Sequence, residues 1–214
     1  MTEPAFVTET RAAYDTVAGS YAEQLRDLLA DSPWDRAMLG TFAELVGKSG
    51  PVGDLGCGPG RLTGYLASLG LDVFGVDLSP GMVEVARRTH PGLRFEVGSM
   101  AALDLGDGAL AGVVAWYSLI HTPPAELPPV VAELARVLAP GGRLLTGFHV
   151  GDERRHLSHG YGHDISLDAY RLPPDFVAEL CVAAGLVVEA RLVREPQGSF
   201  EKAPQAYVLA RKPA

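Results

Sequence analysis

Cysteine is scarce in this chain: Cys57 and Cys181 are the only two in 214 residues. They form no CxxC pair and have no metal-ligand spacing, so no disulfide framework is expected, and a reducing compartment fits. No apolar run approaches the length that spans a membrane. The N-terminal stretch MTEPAFVTETRAAYDT carries acids and threonines where a secretory leader has basic residues and then an apolar core. A cytoplasmic protein without membrane contact is the expectation. Positive charge is also in deficit, 18 Lys and Arg against 26 Asp and Glu. That balance argues against duplex nucleic acid as the main partner, because phosphate binding rests on clustered cations. Internal repeats, low-complexity tracts and linkers are missing, and the length suits a single domain spanning residues 1–214.

Glycine is what stands out. The stretch Val52 to Thr63 reads VGDLGCGPGRLT, with Gly56, Gly58 and Gly60 at every second position. A single glycine often serves only a turn that needs positive φ. Three in alternation strip a loop of Cβ atoms and leave bare amides toward whatever lies above.

Around this loop, short apolar runs alternate with helical patterns. LDVFGVD (71–77), LRFEV (93–97), AGVVAWYSLI (111–120) and RLLTGFHV (143–150) read as buried strands that join Val52–Leu55. Between them, Ser79 as N-cap and Pro80 at the first helical position open a helix that Pro91-Gly92 stops. Val130, Leu134, Val137 and Leu138 mark a second helix, ended by Pro140-Gly141-Gly142. Repetition of strand and helix predicts a doubly wound α/β fold, a parallel sheet with helices on both faces. Near the C-terminus a helix over about 173–184 precedes LVVEARLVRE, the loop PQGSFEKAP and QAYVLARK, two strands expected to pair antiparallel at a sheet edge. Residues 8–30 and 34–47 read as helices ahead of the first strand.

In a doubly wound sheet the first strand-to-helix loop lines the ligand crevice. A dinucleotide loop runs G-x-G-x-x-G, but the position of its third glycine is Arg61 here, and no G-K-[ST] follows for a Walker loop. The pattern is D-x-G-x-G-x-G, with Asp54 before the glycines. D54-L-G-C-G-P-G60 resembles the first motif of the class I S-adenosylmethionine-dependent methyltransferases, small-molecule type, and the resemblance covers most of the chain. It implies a Rossmann-like seven-stranded sheet of order 3-2-1-4-5-7-6 with the last strand antiparallel, and S-adenosyl-L-methionine as cofactor. Asp77, with Leu78 beside it in GVDLSPGM, resembles the family's acid that holds both ribose hydroxyls, a charge-assisted contact. Ser99-Met100 matches the stretch that contacts adenine, and Ser118 falls in the segment facing the methyl group. LAPGGRLL resembles the turn before the fifth strand. One departure is the Leu110-Ala111-Gly112 run, where the family often has Phe-Asp entering the fourth strand.

The segment WYSLIHTPP (116–124) carries neither the Pro-Pro-Tyr of adenine methylation nor the Pro-Cys of cytosine methylation, which points to a small-molecule acceptor. His121 is its one side chain whose ordinary pKa suits proton removal near neutrality; the alternative is a histidine that only bonds the next turn. Four more histidines, His149, His156, His159 and His163, lie in a glycine- and charge-rich segment. No cysteine accompanies them, so residues 151–172 are expected as a substrate-cap loop without a metal. Arg154, Arg155 and Arg171 in and beside it would attract an acidic substrate or simply face water. Tyr14 and Tyr21, seven apart, share a helical face. They are core, or, as the resemblance implies, part of an N-terminal lid (residues 1–48) over the cofactor, with Trp34 on the same wall. Met82 is core or an adenine contact. Two other functions stay open: a silent cofactor-binding protein of the same fold, and an NAD-dependent oxidoreductase.

Overall fold

The computed structural model describes residues 3–198 and 201–214. Met1 and Thr2 of the N-terminal stretch, and Ser199 and Phe200 of the PQGSFEKAP loop, lie outside the described residues. Two helices lead, α1 (Ala5–Gln24) and α2 (Pro33–Val46). Then come β1 (Val52–Leu55), α3 (Arg61–Ser68), β2 (Val73–Asp77), α4 (Pro80–Thr89), β3 (Phe95–Val97) and β4 (Leu110–Trp116). Two single 3₁₀ turns, Leu119–His121 and Pro124–Glu126, lead into α5 (Leu127–Val137) and β5 (Leu138–His149). The chain ends with β6 (Arg154–Gly160), β7 (His163–Tyr170), α6 (Pro174–Ala183), β8 (Val187–Arg194) and β9 (Gln205–Arg211).

Seven strands form one sheet in the order β3-β2-β1-β4-β5-β9-β8. The first five pair in parallel, and β9 runs antiparallel to both β5 and β8. Counting only sheet strands, this is the expected 3-2-1-4-5-7-6. Strand order reverses between β1 and β4, so the ligand crevice opens beyond their carboxyl ends.

Alternation along β4 divides the core. Val113 and Ala115 join the side chains of α5 and α6 on one face, whereas Val114 and Trp116 join Leu39, Phe42 and Val46 of α2 on the other. Helix α2 is thus a face helix of the sheet and not a lid, and Trp34 at its start is exposed. The Leu110-Ala111-Gly112 departure is accounted for by the same packing. Ala111 donates its N–H to Pro51 O at 2.9 Å, and a Cβ on Gly112 would come within 2.7 Å of the Phe42 ring.

Residues 151–172 differ from expectation: β6 and β7 form a separate antiparallel hairpin. Its two-residue turn, Tyr161-Gly162, has φ of 54° and 86°, the left-handed pair that a tight hairpin needs. The usual sequence mark of such a turn is Asn-Gly or Asp-Gly, and a tyrosine in the first position conceals it. Strand β4 is also shorter than the apolar run 111–120, because Tyr117 turns the chain with φ of 53°.

Candidate active site

The glycine loop joins β1 to α3, and its three glycines answer to three different neighbours. A Cβ on Gly56 would lie 2.3 Å from Ser118 Cβ, and one on Gly60 would lie 2.8 Å from the Phe95 ring. Both positions are therefore demanded by protein packing, and both have positive φ. Only Gly58 looks into open space, the Tyr21 ring lying 4.0 Å from where its Cβ would be. The amides are not bare. Gly56 and Cys57 donate to Val76 O at 2.7 and 3.1 Å, and Gly60 donates to Cys57 O at 3.1 Å. Gly58 N–H donates to Asp77 Oδ2 at 2.7 Å. What the loop offers a ligand is close approach of its Cα atoms, with the donors spent on holding its shape.

Asp77, at the tip of β2, is held by that bond and by Ser79 N–H donating to Oδ1 at 2.8 Å. Burial pushes its carboxyl pKa up and the two amides pull it back. It lines a cavity of about 890 Å³ together with Leu78, Gly98, Ser99 and Met100. Behind the loop, Asp54 is buried and accepts from Thr63 Oγ1 at 2.6 Å. Burial raises its pKa to about 7, and the bond ties β1 to α3.

A second, larger cavity of about 1660 Å³ lies between the loop, β4, β5 and the hairpin. The two cavities share Tyr14, Tyr21, Gly56, Gly58, Trp116, Tyr117 and His121. At this seam His121 is buried, with Nδ1 2.9 Å from Asp168 O of the hairpin and Nε2 2.7 Å from Tyr14 Oη of α1. A carbonyl only accepts, so Nδ1 carries the hydrogen and Nε2 accepts from the Tyr14 hydroxyl. Burial lowers the His121 pKa to about 4, well below the near-neutral value expected from its type, and pushes the Tyr14 phenol well up. The imidazole is neutral at pH 7, and its lone pair reaches the cavity only through Tyr14.

Residues 52–142 match a methyltransferase domain family. Over this stretch, under half of its length, the chain is similar to methyltransferases. A demethylmenaquinone methyltransferase of Beutenbergia cavernae is 35% identical to the chain over 135 residues, covering 62% of it and 54% of the relative. The chain spans about half the length of these curated relatives. Two solved structures share the fold along nearly all of it. A magnesium protoporphyrin IX methyltransferase from Synechocystis has a TM-score of 0.72 at 19% identity, covering 99% of both chains. A 1,6-didemethyltoxoflavin-N1-methyltransferase from Burkholderia thailandensis has a TM-score of 0.71 at 23% identity, covering 100% of this chain and 93% of its own.

The structure brings Tyr14, Tyr21, Gly56, Gly58, Asp77, Leu78, Ser99, Met100, Ser118 and His121 around the first cavity. Gly60 and Met82 line neither cavity. Met82 is 1% exposed and packs with Val17, Ala18 and Val85 between α1 and α4. Asp54 reaches only the second cavity. The histidines of the hairpin region disperse rather than gather: His149 bonds Gln205 at 2.9 Å, His156 bonds Asp168 at 3.0 Å, His159 bonds Asp164 at 3.1 Å and His163 bonds Ser20 at 2.7 Å.

Phe6, Val7, Thr10 and Arg11 also line the first cavity and were missed in the sequence. Their signal was present, since positions 6, 10 and 14, and 7, 11 and 14, continue the face of Tyr14 at helical spacing. Asp15 had no such signal. Its Oδ1 accepts from Ser79 Oγ at 2.6 Å and from Gly81 N at 2.9 Å, so α1 caps the start of α4. Through Ser79 the latch reaches Asp77, and through Asp77 it reaches Gly58. Asp15→Ala should speed dissociation of S-adenosylhomocysteine about tenfold, the loss of a charge-assisted contact, and Asp15→Asn should recover part of that. Stopped-flow release rates equal to wild type in both variants would show that α1 does not gate the cavity.

Proposed function

We propose that this chain, as a single domain over residues 1–214, transfers a methyl group from S-adenosylmethionine to oxygen, nitrogen or carbon of a small metabolite. The observation that carries the reading is the seam: one cavity fitted to a nucleoside and one to an acceptor meet at Tyr14 and His121. The residues fit the cofactor. Asp77, pinned by two amides, keeps oxygen lone pairs for ribose hydroxyls, Leu78, Ser99 and Met100 offer an adenine wall, and Gly58 leaves open space in which a ligand can approach the backbone. Gly56, Ser118 and Tyr21 bound the end that leads to the seam. When bound, the cofactor supplies an electrophilic methyl on a sulfonium.

The chain's own residues then align the acceptor, exclude water and take a proton. The acceptor's X–H donates to Tyr14 Oη while the Tyr14 proton moves to His121 Nε2. His121 becomes imidazolium, held by the Asp168 carbonyl, and Tyr14 is regenerated as a phenol. The excess of acids over bases supports a small-molecule enzyme over one that binds nucleic acid. The antiparallel β9 beside β5 speaks against the nicotinamide oxidoreductase reading, whose doubly wound sheet continues in order after its fifth strand. Calorimetry with S-adenosylhomocysteine and with NAD tests the cofactor, and binding of NAD alone would reject the reading. Labelled methyl that appears on no compound of a broad metabolite extract would favour a silent binder.

A further inference from the structure

The second cavity has a polarity of its own. His149, at the end of β5, lines it and does not line the first. Its Nδ1 lies 2.9 Å from Gln205 Oε1, and the Gln205 amide nitrogen is already donated to Ala203 O at 2.8 Å. The oxygen of that amide therefore faces the ring, Nδ1 carries the hydrogen, and Nε2 is left as an acceptor. Among the described residues nothing bonds Nε2. The ring is fixed from the other side by Tyr117, with centroids 4.9 Å apart.

The cavity's charges sort by whether they are already matched. Glu201 is clamped by Arg194 at 2.6 and 2.7 Å. Asp35 accepts from the Tyr207 hydroxyl, and Asp54 accepts from Thr63. Arg171 pairs with Glu153 and also donates to Lys202 O at 3.2 Å. Arg61 acts electrostatically on the neighbouring Asp35 and Asp54, and it lies on the glycine-loop side of the cavity, away from His149. Arg155, on β6, lines the same cavity and acts electrostatically on His149, yet among the described residues its guanidinium meets no carboxylate. Trp116, Tyr117, Tyr161 and Tyr170 supply flat aromatic walls between these groups.

We propose that the second cavity takes a flat, unsaturated organic acid bearing a hydroxyl, with the hydroxyl donating to His149 Nε2 and the carboxylate paired with Arg155. This deepens the methyltransferase reading and rests on it: the atom to be methylated faces Tyr14 and His121 at the seam, while Arg155 and His149 hold the rest of the acceptor. Discrimination arises because a neutral amide cannot pair with the guanidinium, and a molecule without the hydroxyl leaves Nε2 buried without a donor.

The test uses the full chain saturated with S-adenosylhomocysteine and titrated with 3,4-dihydroxybenzoate, 3,4-dihydroxycinnamate, their primary amides and the corresponding acids without hydroxyls. At least one dihydroxy acid should bind about tenfold more tightly than its amide, a difference of about 1.4 kcal/mol. Arg155→Gln should erase that preference and Arg155→Lys should keep much of it. His149→Phe should erase the preference for the hydroxylated acid. The affinity for S-adenosylhomocysteine should be the same in all of these variants, because neither residue lines the first cavity. Acids and amides that bind alike, no saturable binding of any acid, a preference that survives Arg155→Gln, or a weakened cofactor product in that variant would each overturn the assignment. Failure of the wild type to bind S-adenosylhomocysteine at all would instead overturn the methyltransferase reading.

Discussion

Replacing Tyr14 by phenylalanine should lower turnover by about 100-fold or more, in the range of positioned acid–base groups, while the affinity for S-adenosylhomocysteine changes only a few-fold. Phenylalanine keeps the edge-on ring contacts with Tyr21 at 5.9 Å and His121 at 5.2 Å and removes only the hydroxyl that bridges cavity and imidazole. His121→Ala should cost a similar factor, and the double variant little more, because the two groups act as one relay. The pH dependence follows from the sign of the His121 shift. With its pKa lowered to about 4, the imidazole stays in its proton-accepting form throughout the neutral range. The acid limb of the rate profile contributed by this group should therefore lie near pH 4, not near the 6.5 of an exposed histidine. Folding stability carries the same sign: the unfolded chain binds the proton first, so wild type should lose stability relative to His121→Phe as pH falls from 6.5 toward 4. An acid limb near 6.5, or a Tyr14→Phe enzyme of full activity, would remove the relay.

For Asp77→Ala the expected result is a loss of cofactor affinity of about 1.5–3 kcal/mol, the range for hydrogen bonds to a charged group, read by calorimetry as a dissociation constant raised between about tenfold and a hundredfold. Two effects combine. Lone pairs for the ribose are lost, and the amides of Gly58 and Ser79 lose the carboxylate that aligns them. Asp77→Asn should recover little, since an asparagine would turn its NH₂ toward one of two donors. Unchanged affinity in the alanine variant would reject the ribose role.

Local and periodic features were legible in the residues. The Pro-Gly stops, the Ser79 cap and the alternation of apolar runs with helical spacing specify strand, helix and their succession, because each depends on neighbours within about one or two turns. Gly58 and Asp77 mark the place of the crevice for the same reason: both sit just beyond the ends of neighbouring strands in a fold whose crevice position follows from handedness. The hairpin at β6 and β7 was not legible. Its strands are half exposed and its turn begins with Tyr161, so neither hydrophobic alternation nor turn composition marks it. The fate of the loop amides was equally hidden, since a sequence shows that Cβ atoms are missing but not which carbonyl or carboxylate takes the N–H.

By itself, then, the order of residues determined the sheet, the glycine crevice and the carboxylate beside it, all products of short-range pattern and chain chirality. Tertiary structure alone decided that Tyr14 meets His121 across 107 residues and that a carbonyl 47 residues beyond His121 sets its tautomer. It also decided that burial takes the imidazole far from its ordinary pKa. Such contacts join side chains from elements that have no sequence relation to each other. Their geometry and their desolvation come into being only when the packed sheet, the N-terminal helix and the hairpin close on one point.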